Sequence, residues 1–345
     1  MDGGHTMKNN DPERVLLDHG SGGRLSRELF SRLMRAEFSN PLLDAEDDAA
    51  ILDDLPPGRV AFTTDSFVVD PLFFPGGSIA DLAVNGTVND LAMVGARVLY
   101  LSVGLVIEEG LPMADLARVV RELAAAARVA GAVIATGDTK VVPRGAADRL
   151  FINTSGIGVV PPGVSPTGSG ARPGDALILS GTLADHGMAV LAAREGLDSA
   201  GGIRSDTAPL NGLVAAILAA CPEVRALRDP TRGGVATAVN EIAEKSGVAV
   251  ELLEERLPMR PPVAGLCELL GFDPLYVANE GKLLAFVPPD RAEAVLAVMR
   301  AHPLGREAAI IGRARPGPAR VTLCTRIGGQ RVVDMLVGDQ LPRIC

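Results

Sequence analysis

The chain has 345 residues, a net charge of −9, 47% hydrophobic residues and 22% charged residues, which is the composition of a globular protein. A chain of this length exceeds what one hydrophobic core usually organises, so two domains are expected. The acidic balance argues against a nucleic-acid-binding surface, because phosphate recognition needs a concentrated basic footprint.

Membrane and secretory classes are disfavoured as well. The longest apolar runs are well short of the ~18 residues that a membrane helix needs, and the polar N-terminus lacks the apolar stretch of a secretory signal. The cysteines, at positions 221, 267, 324 and 345, are too widely spaced to suggest a disulfide framework. We therefore expect a soluble cytoplasmic protein with no membrane partner.

Strands and helices alternate along most of the chain. A glycine cluster at 20–23 precedes a helical apolar pattern. In the first half, strands are predicted over 59–64, 97–107, 132–136 and 150–160, and helices over 78–95 and 112–130. After a stretch rich in Pro, Gly and Ser, strands are predicted over 175–180, 248–252 and 283–287, and helices over 185–194, 211–220, 234–246 and 291–300.

These elements predict an α/β protein with four parts. They are an N-terminal segment with a glycine-rich loop (1–40), a first domain (41–160), a second domain (171–320) and a C-terminal strand and tail (321–345). Several enzyme signatures are missing: no phosphate-binding G-x-x-x-x-G-K-[ST], no G-x-G-x-x-G after a strand, no H-E-x-x-H and no G-x-S-x-G. P-loop kinases, Rossmann dehydrogenases, zincins and α/β-hydrolases are thereby disfavoured.

Acidic residues recur where elements of the first half are predicted to end. Asp48 lies in a D-D-A-A segment, Asp65 and Asp138 each follow a predicted strand, and Asp90 interrupts an apolar helix. A single aspartate in such a position is more often a turn former or a helix cap. Four of them could converge at strand ends, where cations would have to neutralise them, and such carboxylates suit Mg²⁺ bound to substrate phosphates. Lys140 could contact a phosphoryl oxygen.

Two segments of the second half could also carry chemistry. Asp229 and Arg232 belong to D-P-T-R-G-G, directly before a helix. The glycines permit close backbone approach, and a helix N-terminus favours anions, although the segment is an equally good turn and cap. Glu280, in A-N-E-G-K, is a candidate acid or base, although a lone carboxylate there is more often on the surface.

The chain ends in a cysteine, Cys345, within P-R-I-C. Exposed thiols are a liability, so this position suggests a function, with accident as the alternative. Prenylation is excluded, because the acceptor cysteine would lie four residues from the end.

Taken in order, DDAA, TDSFVV, NGTVNDLAMVGA, TGDTK, DPTRGG, ANEGK and the closing PRIC resemble the HypE family of hydrogenase-maturation carbamoyl dehydratases over residues 13–345. That family belongs to a superfamily that includes aminoimidazole ribonucleotide synthetase, selenophosphate synthetase and thiamine-monophosphate kinase. The acidic motifs are shared across the superfamily, whereas the terminal PRIC is typical of HypE.

The resemblance implies two α/β domains of the aminoimidazole ribonucleotide synthetase type, a homodimer in which the first domains close a β-barrel, and a flexible C-terminal tail. It also implies ATP and Mg²⁺ as cofactors. The implied metal ligands are Asp48, Asp65, Asp90 and Asp138; the implied nucleotide-binding residues are Gly20, Ser21, Gly22, Gly23, Asp65, Asn85, Asp138, Lys140, Asp229 and Arg232; and the implied catalytic residues are Cys345, Glu280 and Lys140.

The activity that the resemblance implies is ATP-dependent dehydration of a carbamoyl group on Cys345 to a thiocyanate. The HypF carbamoyltransferase would deliver the carbamoyl group, and the HypC–HypD complex would receive the cyanide ligand for the iron of [NiFe]-hydrogenase. Two alternatives stay open at this point. One is a thiamine-monophosphate kinase-like enzyme in which the tail is dispensable, and the other is a non-catalytic, ATP-gated scaffold for hydrogenase assembly.

Overall fold

A computed structural model describes residues 13–53, 55–197, 202–338 and 341–345. Its strands are β1 (Arg59–Phe67), β2 (Phe73–Phe74), β3 (Gly77–Ser78), β4 (Arg97–Glu108), β5 (Val133–Val142), β6 (Leu150–Val160), β7 (Ala176–Leu179), β8 (Ala226–Arg228), β9 (Ala249–Leu253), β10 (Leu284–Val287), β11 (Ala309–Arg315), β12 (Arg320–Cys324) and β13 (Gln330–Val333). Its α-helices are α1 (Arg24–Leu29), α2 (Arg35–Phe38), α3 (Pro41–Asp44), α4 (Ile79–Met93), α5 (Met113–Ala130), α6 (Asp185–Arg194), α7 (Asn211–Ala220), α8 (Gly234–Ser246), α9 (Pro261–Leu270) and α10 (Ala292–Ala301). A π-helical turn, Phe30–Met34, joins α1 to α2.

The first domain is built on a four-stranded sheet in the order β1–β6–β4–β5. Only β4 and β5 pair in parallel, and α5 forms the crossover between them. Apolar residues recur on α5 every three or four positions, and that stripe packs mainly against α4 while the opposite face is exposed. The other face of the sheet carries polar residues together with Val60 and Phe62, which are 61% and 68% exposed.

The second domain is built on a seven-stranded sheet in the order β13–β12–β9–β11–β7–β10–β8. Its pairings are antiparallel except for β9 with β12. Helix α4 of the first domain joins the two halves, because Ala92 and Met93 at its end pack in the apolar cluster formed by α7 and α10. Nearly every residue of α4 is buried, including Asn85, Thr87 and Asn89. Buried polar side chains must find partners, so α4 carries hydrogen-bonding groups into the boundary between the domains.

Two strands are longer than the sequence predicts. β1 continues to Phe67 and β5 to Val142, so Asp65 and Asp138 lie inside strands and the prediction that they follow strand ends is wrong. The reason is that β1 and β5 are the two edges of the sheet, where polar side chains reach solvent without ending the strand. No helix in the described ranges is long and apolar enough to cross a membrane.

Candidate active site between the domains

A small cleft between the two domains brings carboxylates and a thiol together. Its walls come from β1, α4, the segments before α8 and β10, and the end of the chain. We call it the carboxylate cleft; its lining residues are Asp65, Ser66, Phe67, Gly86, Asp90, Asp229, Thr231, Arg232, Glu280 and Cys345.

The first domain supplies Asp65 and Asp90. The hydroxyl of Thr63 donates a 2.8 Å hydrogen bond to Asp90 Oδ2, which fixes the carboxylate of α4 against β1. A Cβ at Gly86 would come within 2.8 Å of the Phe67 ring, so α4 approaches β1 this closely because position 86 is glycine. The two aspartates are thereby held on adjacent elements.

The second domain supplies Asp229 and Glu280 from two loops that are tied together. Asn279 donates both its backbone N–H and its side-chain Nδ2 to the carbonyl of Pro230, each at 3.1 Å. Gly234, at a φ of +60°, begins α8, and a Cβ there would collide with the carbonyl of Leu275. This turn requires glycine, and it leaves Asp229 facing the cleft.

Glu280 is held through its main chain by two residues distant in sequence. Asp206 accepts hydrogen bonds from the backbone N–H of Glu280 at 3.2 Å and of Gly281 at 3.3 Å, and from Lys282 Nζ at 2.9 Å. Asn89 of α4 donates to the carbonyl of Glu280 at 3.3 Å. The side chain of Glu280 is only 3% exposed. The expectation that a carboxylate in this segment, taken alone, lies on the surface is therefore wrong.

Burial makes Glu280 and Asp229 hard to ionise. It raises the pKa of Glu280 well above the usual range, and the negative charges of Asp229, Asp206 and Asp65 raise it further, while Arg232 opposes them. Burial and then Asp90 raise the pKa of Asp229 to about 6. Glu280 Oε1 is buried with no hydrogen-bond partner. The cleft therefore suits a proton or a cation shared among carboxylates.

The glycine-rich loop borders a second pocket, which we call the glycine-loop pocket. It has a volume of about 260 Å³ and lies between the helical segment 24–38 and strands β4 and β5. Its lining combines apolar side chains such as Phe30 and Ile134 with Gly20, Gly22, Asp138 and Lys140. A Cβ at Gly20 would collide with the backbone of Val141, so the loop approaches β5 this closely only with glycine there. An apolar slot with a charged rim is typical of a small-molecule site.

Lys140 and Asp138 stand at the rim of this pocket. Lys140 Nζ lies 3.2 Å from Asp138 Oδ1, and both side chains are more than half exposed, so this pair contributes little to stability. Ser21, between the pocket glycines, donates to the carbonyl of Asp18 at 2.9 Å, and Gly23 caps the start of α1.

The sequence-predicted residues thus fall into two groups within one chain. Asp65 is in register with Thr154, which is buried, so Asp65 lies on the face of the sheet that the helices cover. Asp138 is in register with Asn153, one position along, and therefore lies on the opposite, exposed face. Three interstrand spacings of ~4.8 Å separate their strands.

The remaining predicted ligands lie apart from both groups. Asp48 is exposed in the loop after α3 and lines neither pocket. Asn85 donates to Thr207 Oγ1 at 3.1 Å, and its buried Oδ1 has no partner. Among the residues that the structure describes, no three His, Cys, Asp or Glu side chains form a group that could hold a metal ion by themselves. A cation at Asp65 and Asp90 would need further oxygen ligands, such as phosphate.

The last residue of the chain reaches the cleft. The backbone N–H groups of Val68 and Asp70 donate to the carbonyls of Cys345 and Arg343, each at 3.3 Å, as in an added strand. Ile344 is 3% exposed and packs in the main apolar core. These contacts place Cys345 among the carboxylates.

Comparison with known proteins agrees with this architecture. Residues 46–160 match the family model "AIR synthase related protein, N-terminal domain", and residues 172–323 match "AIR synthase related protein, C-terminal domain". The chain is 55% identical over 340 residues to the carbamoyl dehydratase HypE of Azotobacter vinelandii, covering 98% of each chain. It is 48% identical to carbamoyl dehydratase HypE of Escherichia coli K12 over 96% of this chain and 99% of that protein.

The chain belongs to the HypE family. A crystal structure of the hydrogenase maturation protein HypE in complex with ATP superposes with a TM-score of 0.93 at 50% identity, over 96% of this chain and 100% of that one. The HypE–HypF complex gives a TM-score of 0.79 at 47% identity, over 91% of this chain and 100% of that one. The predicted fold of two aminoimidazole ribonucleotide synthetase-type α/β domains is confirmed.

Some residues that build the site were not predicted from the sequence. Asp206 and Asn89 hold the main chain of Glu280, and His186 and Arg194 of α6 contact the tail. Their partners are distant in sequence, so no local spacing marks them. The one available signal was the polarity of Asn89 and its neighbour Asp90 inside an otherwise apolar helix.

Proposed function

We propose that this family member is an ATP-dependent carbamoyl dehydratase that acts on its own Cys345. It converts an S-carbamoyl group on that sulfur into a thiocyanate, which supplies the cyanide ligand for the iron of [NiFe]-hydrogenase. The observation that carries the proposal is the position of Cys345 in the carboxylate cleft, beside Asp65, Asp90, Asp229, Arg232 and Glu280. A thiol placed at buried acids between two domains suits chemistry on the sulfur.

In the proposed reaction, the carbamoyl oxygen attacks the γ-phosphorus of ATP, and ADP leaves. The oxygen, now esterified to phosphate, becomes a good leaving group. Loss of both N–H protons and departure of inorganic phosphate leave a C≡N group on the sulfur. The oxygen of the carbamoyl group ends in the phosphate, so the net change on Cys345 is the loss of one water.

Glu280 is the proposed proton acceptor. Its raised pKa makes it a stronger base toward an N–H proton than an ordinary carboxylate once it is ionised. Arg232, which lowers that pKa, would also contact a phosphoryl oxygen at the cleft.

The nucleotide and Mg²⁺ fit the two pockets in complementary ways. The apolar glycine-loop pocket suits a purine ring, with Gly20 to Gly23, Asp138 and Lys140 near the phosphates. Asp65 and Asp90 are the proposed Mg²⁺ ligands at the cleft. Burial first and then the negative charge of Asp65 raise the pKa of Asp90, and a cation would remove the repulsion between the two carboxylates. Bound Mg²⁺ would neutralise charge on the phosphoryl oxygens. We retain Asp48 and Asp138 as further proposed Mg²⁺ ligands, and Asn85 and Asp229 as proposed contacts of the nucleotide.

A homodimer would bring the two groups of residues closer than one chain does. β1, which carries Asp65, and β5, which carries Asp138, are both edge strands. Edge strands need cover, and the exposed Phe62 and Val60 on the same sheet add apolar area for an interface. We also propose HypF as the carbamoyl donor, HypC–HypD as the acceptor complex and the cytoplasm as the location.

The test is mass spectrometry of the C-terminal peptide. Incubation with HypF, carbamoyl phosphate and ATP should add one carbamoyl group to Cys345, and the peptide should then lose one water. An unmodified thiol in the presence of active HypF would favour the non-catalytic scaffold. Turnover of thiamine monophosphate that survives deletion of residues 343–345 would favour the kinase alternative.

A further inference from the structure

The docked tail is held by the side chain of Arg194, the last residue of α6. Its Nη1 donates to the carbonyl of Pro342 at 2.9 Å, and its Nη2 donates to the carbonyl of Arg343 at 2.7 Å. Nε and Nη2 also donate to the carbonyl of Asp70, at 3.0 and 2.8 Å. The planar guanidinium therefore joins the tail to the first domain, an arrangement that a lysine ammonium cannot reproduce.

His186 lies two helical turns earlier on α6 and contacts the next carbonyl of the tail. Its Nε2 is 2.8 Å from the carbonyl oxygen of Ile344, and its Nδ1 is 2.8 Å from Ser205 Oγ. A carbonyl can only accept, so Nε2 carries the hydrogen and Nδ1 accepts from the serine hydroxyl. The imidazole is 0% exposed. The carbonyl of Ile344 thus fixes the tautomer, and the Ser205 hydroxyl satisfies the remaining ring nitrogen as a donor.

Together these side chains bind three consecutive carbonyls, those of residues 342, 343 and 344. Contacts to the main chain set the position of the tail whatever its side chains are. A second set of contacts is specific to a side chain: Arg343 Nη2 lies 2.6 Å from Asp70 Oδ2, and the Arg343 guanidinium also pairs with Asp148.

We propose that Arg194 and His186 are positioning residues for the dehydration of the Cys345 carbamoyl group. They hold the main chain of the tail so that the sulfur stays in the carboxylate cleft, and their release of the tail exposes the thiol for loading. This inference rests on the proposed function. It predicts different effects on carbamoyl loading and on dehydration. Losing either contact should slow dehydration and leave carbamoyl loading intact.

The experiment compares Arg194→Gln with Arg128→Gln, a matched change at an exposed arginine of α5. Iodoacetamide labelling of Cys345 is followed by mass spectrometry, with Cys324 as internal reference. We expect Arg194→Gln to raise the Cys345 rate about fivefold or more, since hydrogen bonds from a charged donor are lost. Single-turnover dehydration of preloaded protein should fall about tenfold, which is the effect of misplacing the reacting group. Arg128→Gln should change neither rate.

His186 supplies a rescue test that does not depend on how Arg194→Gln folds. In His186→Gln the amide nitrogen occupies the place of Nε2–H and should restore most of the wild-type labelling and dehydration rates. His186→Leu should behave like Arg194→Gln. Equal rates for His186→Gln and His186→Leu, or wild-type rates in Arg194→Gln, would overturn the proposal. If the wild-type protein forms no thiocyanate, the proposed function fails, while the labelling ratios still decide whether these residues dock the tail.

Discussion

Replacing Ile344 by alanine should release the tail without touching a charged group. Ile344 is 3% exposed and packs against the main core, so the change removes three buried carbons. At about 0.8 kcal/mol for each buried CH₂, the docked state loses about 2.4 kcal/mol. A tenfold change in an equilibrium corresponds to about 1.4 kcal/mol, so the ratio of docked to released tail should fall about 50-fold.

Labelling of the Cys345 thiol measures this shift. The thiol is half-buried when docked, so we expect it to react slowly even there. The observed rate should therefore rise by less than the full factor, roughly fivefold or more. The same substitution at Ile327, which is 96% exposed, is the matched control and should leave the rate unchanged. Thermal melting of Ile327→Ala should match the wild type, whereas Ile344→Ala should melt lower, because the docked tail contributes to the stability of the folded state.

The reasoning fails if Ile344→Ala labels at the wild-type rate relative to Cys324. It also fails if Ile327→Ala accelerates labelling equally. In the first case burial of Ile344 does not hold the tail, and in the second the effect is not specific to the docked segment. Dehydration by Ile344→Ala should be slowed in parallel with the increase in labelling.

Three further substitutions test the surroundings of Glu280, and a fourth, in α9, is a control for glycine replacement. Lys282→Met leaves Asp206 buried beside Asp185 without its nearest cation, so urea denaturation should show a loss of about 3–5 kcal/mol. Gly281→Ala would overlap the carbonyl of Asp206 and should lower the melting temperature, whereas alanine at Gly265, whose Cβ would meet open space in α9, should stabilise the protein by about 1 kcal/mol. The pKa of Asp229 is raised to about 6, so its contribution is present at low pH and is lost as pH rises from about 4 through 6, by about 3 kcal/mol in all. Asp229→Asn should therefore raise the melting temperature at pH 8 and not at pH 4; an equal rise at both would contradict that assignment.

The periodic elements were accessible from the sequence because their patterns are local. Helix α5 shows its apolar stripe and ends at Gly131, whose φ of +69° is the left-handed conformation that closes a helix. Strand limits were less accessible. In the sequence, Asp65 and Asp138 look like residues that end a strand. Only the position of their strands at the edges of the sheet shows why both strands continue past them.

The burial of Glu280 could not be read from its own segment. Its main-chain partners, Asn89 and Asp206, lie 191 and 74 residues away in sequence. Neither contact follows the period of a helix or a strand. Residue types and spacing alone therefore predicted that a carboxylate at this position is more often exposed on the surface. The contact of His186 with Ile344 spans 158 residues and is equally invisible to a local pattern.

The position of the tail and the position of the candidate base depend on one short loop. Ser205 makes a hydrogen bond with Nδ1 of His186, whose Nε2 holds the carbonyl of Ile344. The next residue, Asp206, accepts a hydrogen bond from the backbone N–H of Glu280. Burial alone would raise the pKa of Asp206, but Lys282, His186 and the hydrogen bonds to the carboxylate together lower it. Because adjacent residues of one loop make both sets of bonds, a shift of this loop would displace the sulfur and the base together.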